Sequence, residues 1–576
     1  VIYVPAGVFC VIDSANLILP ANVKLLGVGG FPGSVNAGGD PTGSGFFVNP
    51  AYSIYLSNGD ILDGIGIWRS RDGHFHIDPT AEQAVSDISQ WRDEWSQGLV
   101  QPFTGAGQSG IVLREVFIEG FHICLAQYTA HIDIEGLKTD CPTSIAAFGS
   151  GDTSYARRVR NEPFYSGRLP ASMGAWQRYG ASFYLSGGER GDGGGYYWRD
   201  LQSEGWPMAF VVESAGNCLL DNLTAEYPAV WANSPPGYPA EQYGVFGHVV
   251  GHTGDQGWFS NLSWGSAGSN GVLADGVVID DNPARTIWNN LNIESVPSRG
   301  SAFYASGATA APTVERITAL PAVGSMVSVT IGGSSIVSVG GPFAITYVVQ
   351  FGDTPVIVAQ RLTYLINTQF SALAHAHVNA SRWNRAPGEF AVYWPADESV
   401  SVSLAGATFE SSIGNPDPGS TGAGYSLDLS AANSGALIRL GNTSSGALAW
   451  LFSGVWVDNG TRNLPANWLS WSKPPAQLTL AGIQWSKAST TNLNGTGGDG
   501  AKVEANSFDN EGVVTEGANA TGFSFTFSTP YPAAPTCLVA GGPITSYSVT
   551  AKTLSVVNPR ASGLSYTYRC DLNVHG

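Results

Sequence analysis

Leu201-Gln-Ser-Glu204-Gly and its echo 22 residues on, Leu223-Thr-Ala-Glu226-Tyr, decide how this chain folds. The pattern returns as Val116-Phe-Ile-Glu119-Gly, Ile132-Asp-Ile-Glu135-Gly, Leu262-Ser-Trp-Gly265-Ser and Leu291-Asn-Ile-Glu294-Ser, an apolar residue followed three positions later by Glu in five of six copies. A unit of this size, made of short strands joined by turns that accept insertions, suits one coil of a parallel β-solenoid. Each such coil buries its inner face only by stacking on the next.

Outward from the repeat the grammar is the same. The opening VIYVPAGVFCVIDSANLILPANVKLLGVGG is a set of β-branched runs broken by Pro, Gly or Asn. The composition agrees: Gly 73 and Pro 33 in 576 residues supply corners, and 43% hydrophobic with 11% aromatic residues supply a core and exclude disorder. Lys+Arg 27 against Asp+Glu 45 gives a net charge of −18, which repels nucleic acid and anionic membrane surfaces. No run reaches the roughly 18 apolar residues of a membrane helix. The chain opens at Val1 without a charged or apolar leader, so it reads as a processed or trimmed fragment.

Residues 1–311 are read as the solenoid, with two insertions. In 78–98, Asp78 as N-cap, Pro79 at the first helical position and a stripe of Ala84, Ile88, Trp91 and Trp95 predict a short helix. Residues 153–195 read as a cationic, aromatic loop containing Arg157, Arg158, Arg160, Arg168, Arg178 and Arg190. In 312–410 strands surround one helix, capped by Asp353 or Thr354, started by Pro355 and buried through Val358, Leu362, Leu365 and Ile366, which makes a separate α+β module. Residues 411–507 return to short strands, a further β-helix or prism-like shaft. The alternation in Phe523-Ser-Phe-Thr-Phe527 and Ser565-Tyr-Thr-Tyr-Arg-Cys570 makes 508–576 a small antiparallel sandwich for trimerisation or sugar binding. The six cysteines lie too far apart in sequence for a disulfide framework and have no zinc spacing; packing is favoured over a Cys537–Cys570 bond.

The opening VPAG followed by LPANVKLLGVGG resembles the start of pectate-lyase-like right-handed parallel β-helix proteins. The closing FSFTFSTPYPAAPTCLVAGG with SYTYRC is similar to the C-terminal sandwich of bacteriophage tailspikes and tail fibres, and the GDT-led helix of Asp353 to Leu373 resembles small modules of phage tail proteins. The resemblance implies a mainly β homotrimer, located in the virion tail at the host surface. It would bind, and often cleave, a bacterial surface polysaccharide, and would join other tail or baseplate proteins through a missing N-terminal region. It implies no nucleic acid partner, no membrane insertion and no cofactor.

In the repeat, period-two alternation puts Leu inward and Glu outward. Stacked coils lie roughly 4.8 Å apart, so Glu204 and Glu226 sit one above the other. Stacked like charges raise one carboxyl's pKa, as an acid catalyst requires, and a glycosidase needs one protonated and one ionised carboxyl. The competing reading has these glutamates accept hydrogen bonds from turn amides. Glu204 and Glu226 lead because Trp206, Tyr227 and Trp231 lie nearby for sugar stacking, with Trp198, Arg199 and Trp258 as further contacts. Glu189 and Asp192 flanking Arg190, ahead of Gly193 to Gly195, are the second choice, and Glu294 extends the row. A metal at His248, His252 and Asp255 is disfavoured for want of a helix, and Asp60 with Asp63, or Asp280 with Asp281, lacks a calcium-loop pattern. A β-eliminating lyase is the alternative chemistry and a noncatalytic receptor-binding spike the alternative class. Lysine occurs only at 24, 138, 473, 487, 502 and 552, which leaves the middle of the solenoid without one and puts the role of eliminating base on Arg190, Arg199, His248, His252 or a tyrosine.

Overall fold

The structure, a computed structural model, describes residues 1–7, 9–29, 43–70, 91, 94–102, 110–128, 131–149, 153–164, 181–186, 195–206, 208–213, 217–226, 245–250, 256–265, 276–280, 286–294, 301–305, 313–337, 341–370, 378–382, 387–394, 399–413, 436–442, 449–453, 456–458, 467–473, 477–481, 484–485, 493–495, 502–503, 511–515, 522–526, 534–540, 544, 546–550, 553–557 and 565–571. Two long parallel sheets, of 20 and 13 strands, run through the chain as the walls of a β-solenoid. The repeat defines their register: Leu201 pairs with Leu223, Leu223 with Leu262 and Leu262 with Leu291. These leucines form one inward row, each no more than 2% exposed. Similar rows stack Leu25 on Leu62 and Leu113, and Phe183 on Phe210. The interior is therefore continuous from coil to coil, as in-register stacking of apolar residues requires.

Early coils divide the first wall into two strands, as in Ile132–Glu135 and Lys138–Asp140, and later coils fuse them, as in Gly195–Glu204. The segment read as a cationic loop is accordingly mostly wall where it is described. Thr153–Asn161 is a strand, and Arg157, Arg158 and Arg160 make ion pairs along it with Glu135, Glu115 and Glu162. Opposite charges recurring one coil apart turn what reads as a basic cluster into a neutral lattice. Arg168, Arg178 and Arg190 lie outside the described residues, as does most of the 78–98 helix. Its last two residues belong to the strand Gln97–Gln101.

A coil of about this length also explains the cysteines. Ile111 pairs with Ile132, so positions some twenty residues apart become neighbours, and Cys124 and Cys141, 17 apart in sequence, form a disulfide. Cys537 and Cys570 face each other on antiparallel strands and are also bonded. Packing is thus the wrong account of four of the six cysteines; Cys10 and Cys218 are free.

Between the solenoid strands Ser301–Ala305 and Ala436–Asn442, residues 313–413 form two antiparallel sheets around the helix Pro355–Phe370. The Thr354 hydroxyl caps this helix by accepting from the Ile357 N–H at 3.3 Å, while Asp353 pairs with Arg361 at 2.8 Å. Val358, Leu362 and Ile366 face the module core as expected. The opposite, polar side is buried too, because it lies on the outer face of the second solenoid wall. Tyr364 reaches the Thr143 hydroxyl at 2.5 Å, Asn367 donates to the Tyr184 hydroxyl at 3.3 Å, and Arg361 lies 5.1 Å from the rings of both Trp95 and Tyr347. The module thereby covers part of that wall, and its contacts among the described residues are with the second wall, not the first.

Beyond the module, parallel strands from Ala436–Asn442 to Lys502–Val503 extend both walls. Two three-stranded antiparallel sheets, built from strands between 511 and 571, then enclose a core of Cys537, Leu554, Val556, Tyr568 and Cys570. No helix among the described residues is long and apolar enough to cross a membrane.

Two substitutions test this architecture by chemical denaturation. Leu223→Ala removes a side chain fully enclosed between two coils and is expected to cost about 2–5 kcal/mol. Arg361→Leu removes what is, among the described residues, the only cation beside Asp353, whose side chain is 2% exposed and keeps the Tyr347 hydroxyl and the Gln350 N–H as donors, and is expected to cost about 3 kcal/mol.

Candidate functional site

The site begins with a corner. Arg158, Asp200, Asn222, Asn261 and Asn290 all have left-handed backbone, φ between 54° and 56°, a conformation in which Asn and Asp are the best tolerated residues after Gly. Their neighbours Arg157, Arg199, Asp221, Ser260 and Asn289 pair in register, so these residues form one column up the solenoid. Amides link it: Asn222 donates to Asp200 at 2.7 Å, Asn261 to Asp221 at 2.6 Å, and Asn290 to the side-chain oxygen of Asn261 at 2.7 Å. The bend resets the inward and outward alternation, because two successive residues at each corner face out.

Past the corner each strand runs four residues to a second bend, and there the acids collect. Glu119 pairs with Asp140, and Glu204 with Glu226. Glu162 bridges the two pairs: it follows Asn161, which pairs with Ser203, and its N–H donates to the Thr139 carbonyl at 3.0 Å. Five carboxylates thus occupy five successive coils. The column starts above Trp68 and continues through Gly265 to the backbone of Glu294, which pairs with Asp458. Glu119 and Asp140 are 3% and 1% exposed, whereas Glu204 and Glu226 are half-buried and reach solvent. Glu162 lies between these regimes. Burial pushes its carboxyl above the usual glutamate range, the Arg160 guanidinium 2.8 Å away opposes this, and the charges of Glu204 and Glu226 raise it further. The result is one carboxyl biased toward its protonated form beside two others on the next two coils, which is the raw material of acid–base chemistry.

Glu204 and Glu226 therefore stack as the repeat requires, but Glu135 does not join them. It sits before the first corner, paired in register with Arg114 and Arg157, and the Arg157 guanidinium holds its carboxyl below the usual range. Its place in the column belongs to Asp140. The missed members carry the same signature in altered letters, Leu137-Lys-Thr-Asp140 and Val159-Arg-Asn-Glu162.

Trp198 is a correction. It is fully buried and its indole N–H donates to the Ser154 hydroxyl at 3.3 Å, so it is core and not a sugar contact. Trp206, at 3% exposure, is likewise unavailable for stacking. Arg199 is exposed, and Trp258 is 37% exposed on the first wall. Glu189, Arg190, Asp192, Tyr227, Trp231, His252, Asp255 and Asp281 lie outside the described residues. His248 is fully buried and pairs with Val211 on the wall under the module, and Asp60 accepts turn N–H groups from Val23 at 2.9 Å and Ser57 at 2.7 Å. Among the described residues no three His, Cys, Asp or Glu are grouped to hold a metal ion.

What the fold defines is a parallel β-solenoid with an acid-lined corner. No family model matches the sequence and no curated protein matches it. Among solved structures the chain is similar to the tailspike gp61 of Pseudomonas phage phi297, at 9% identity over 92% of this chain and 67% of that one, TM-score 0.26. It is also similar to the tailspike gp49 of Pseudomonas phage LKA1, at 10% identity over 98% and 68%, TM-score 0.25. A third is a double mutant of the tailspike of E. coli bacteriophage HK620 in complex with a pentasaccharide, at 11% identity over 98% and 87%, TM-score 0.28.

The electrostatics of the column are open to measurement by carboxyl NMR titration. Glu162 is expected to titrate above the ordinary glutamate range, and Glu204→Gln to move it down by removing one of the like charges that raise it. Identical titration in both proteins would break the link between the two carboxyls.

Proposed function

We propose that this protein is a phage tailspike, a homotrimer with a right-handed β-helix, that recognises and depolymerises a bacterial surface polysaccharide (capsule, exopolysaccharide or O-antigen) by glycoside hydrolysis. The observation that carries the chemistry is the run Glu162, Glu204, Glu226 on successive coils, with Glu162 biased toward its protonated form. Glu162 is the general acid. It donates to the glycosidic oxygen as the bond to the sugar breaks, and the Arg160 guanidinium, itself held by two hydrogen bonds to the Gln202 side-chain oxygen, lies 2.8 Å from it. One coil spacing, about 4.8 Å, puts Glu204 near the separation of a retaining pair, and two spacings, about 9.6 Å, put Glu226 at the upper limit of that of an inverting pair. The anomer first released identifies the partner. Hydrolysis is favoured over elimination by the carboxylate run together with the lysine count, since of the six lysines only Lys24 and Lys138 fall in 1–311 and Lys138 already faces Glu115 at 3.9 Å, which leaves an eliminating base to an arginine such as Arg199, a histidine or a tyrosine.

The test is incubation of the full chain with native bacterial capsules and exopolysaccharides while viscosity, reducing ends and the ultraviolet absorbance of unsaturated sugars are followed together. New reducing ends without that absorbance are expected. Absorbance would make the protein a lyase, and binding without shortening would make it a receptor-binding spike. Glu162→Gln is expected to slow cleavage about 10²–10⁴-fold and to remove the alkaline limb of the pH profile, because activity falls as pH rises through the acid's pKa. Full activity in both Glu204→Gln and Glu226→Gln would overturn the assignment, and a monomer mass by light scattering would overturn the trimer.

A further inference from the structure

We infer that the first wall, on the other side of the asparagine corner from the acids, carries a separate saccharide subsite that selects a sugar bearing a carboxylate. The inference rests on the polysaccharide reading and names the chemistry of the ligand. Its platform is a register column of Tyr155, Tyr197, Leu219 and Trp258 on four successive coils, about 14 Å long at the usual strand spacing. Tyr155 and Tyr197 stack with ring centroids 5.4 Å apart and planes 22° off parallel. They and Trp258 are 51%, 40% and 37% exposed, in a wall whose inward aromatics are buried. A Cβ at Gly195 would run into the Tyr197 ring, so the missing side chain lets that ring rest against the strand in one place. Rigid, half-exposed aromatic faces are what the apolar face of a sugar ring packs on.

Two residues past Tyr197, on the same outer face, is Arg199. Its row is otherwise engaged: Arg157 pairs with Glu135, and Asp221 accepts from Ser260 and Asn261. Asp200, next in sequence, accepts from Asn222. Arg199 alone of this group is exposed with neither an ion pair nor a hydrogen bond among the described residues. A free guanidinium beside an aromatic platform, in a chain of net charge −18, fits bidentate capture of a planar carboxylate on a uronic or pyruvylated sugar. Tyr197 and Glu204 are seven residues apart along a bent strand, at most about 23 Å. A glycan chain crossing the corner would engage both.

The experiment measures binding of the full chain to a panel of bacterial capsular polysaccharides, each native and after carbodiimide–borohydride reduction of its carboxyl groups, at fixed salt. The protein is expected to prefer the native form of its glycan at least tenfold, and Arg199→Gln to abolish that preference. Tyr197→Ala and Trp258→Ala should weaken both forms, with unchanged circular dichroism since all three positions are exposed. Equal binding of native and reduced glycan by the unsubstituted protein, or an Arg199→Gln effect equal on both, would overturn the carboxylate inference while the polysaccharide reading stands. Binding to no member of the panel would overturn that reading itself.

Discussion

In-register stacking of one coil on the next is the constraint from which the rest of this molecule follows. Once Leu201 is fixed over Leu223, every other position on those strands inherits a partner of known identity. The same operation that lines up leucines in the core lines up amides at the corner and carboxylates at the second bend. Inside, repetition is favourable, because like apolar groups bury one another. Outside, it forces like charges together, and the structure answers in two ways. Along Glu115, Glu135, Arg157 and Arg158 it interleaves opposite charges. Along Glu162, Glu204 and Glu226 it leaves the acids stacked, at the cost of a raised carboxyl. A column in which three acids stack with one arginine beside them, where fuller pairing is found one corner away, is where chemistry belongs.

The solenoid was legible because its signal is redundant: coil after coil repeats an apolar-x-x-acid phrase, with Gly265 in place of the acid in one copy, and one copy suffices to align the next. The acid column was legible only in part. Glu204 and Glu226 were aligned from the start, Asp140 required accepting Asp for Glu, and Val159-Arg-Asn-Glu162 fits the phrase but sits in a stretch whose arginines read as a loop. Glu135 matched it falsely because the early coils carry the phrase twice, once on each strand of the first wall. Trp198 failed for a different reason. Alternation counts Trp198 and Leu201 onto opposite faces, yet both point inward, since the left-handed residue Asp200 between them shifts the count by one. The Asp or Asn directly before each repeat Leu, at 200, 222, 261 and 290, was the readable mark of that shift.

The module was legible as a module but not in its docking. Gln360, Arg361, Tyr364 and Asn367 have the polarity of a solvent-facing helix side, and all are buried. Their partners on the solenoid lie more than 180 positions away in sequence, Thr143 for Tyr364, Tyr184 for Asn367 and Tyr128, 233 away, for Arg361. Nothing local distinguishes a polar face meant for water from one meant for another polar wall. The distinction exists only once both surfaces are built.

That docking changes how the solenoid should respond to force. A bare solenoid holds each coil only through its two neighbours and so peels from an end one coil at a time. Here a single helix rests on a wall whose side chains come from Trp95 through Tyr128, Thr143 and Phe148 to Tyr184, and its module adds Met208 and Val211 to the shared core. It acts as a splint across five turns that are otherwise joined only to their immediate neighbours, two of them by the Cys124–Cys141 bond as well, so tension on the shaft is carried by those coils as one block. The acid column from Glu119 to Glu204 lies on four of those turns, and a pull that would spread these carboxylates apart must first tear the splint away.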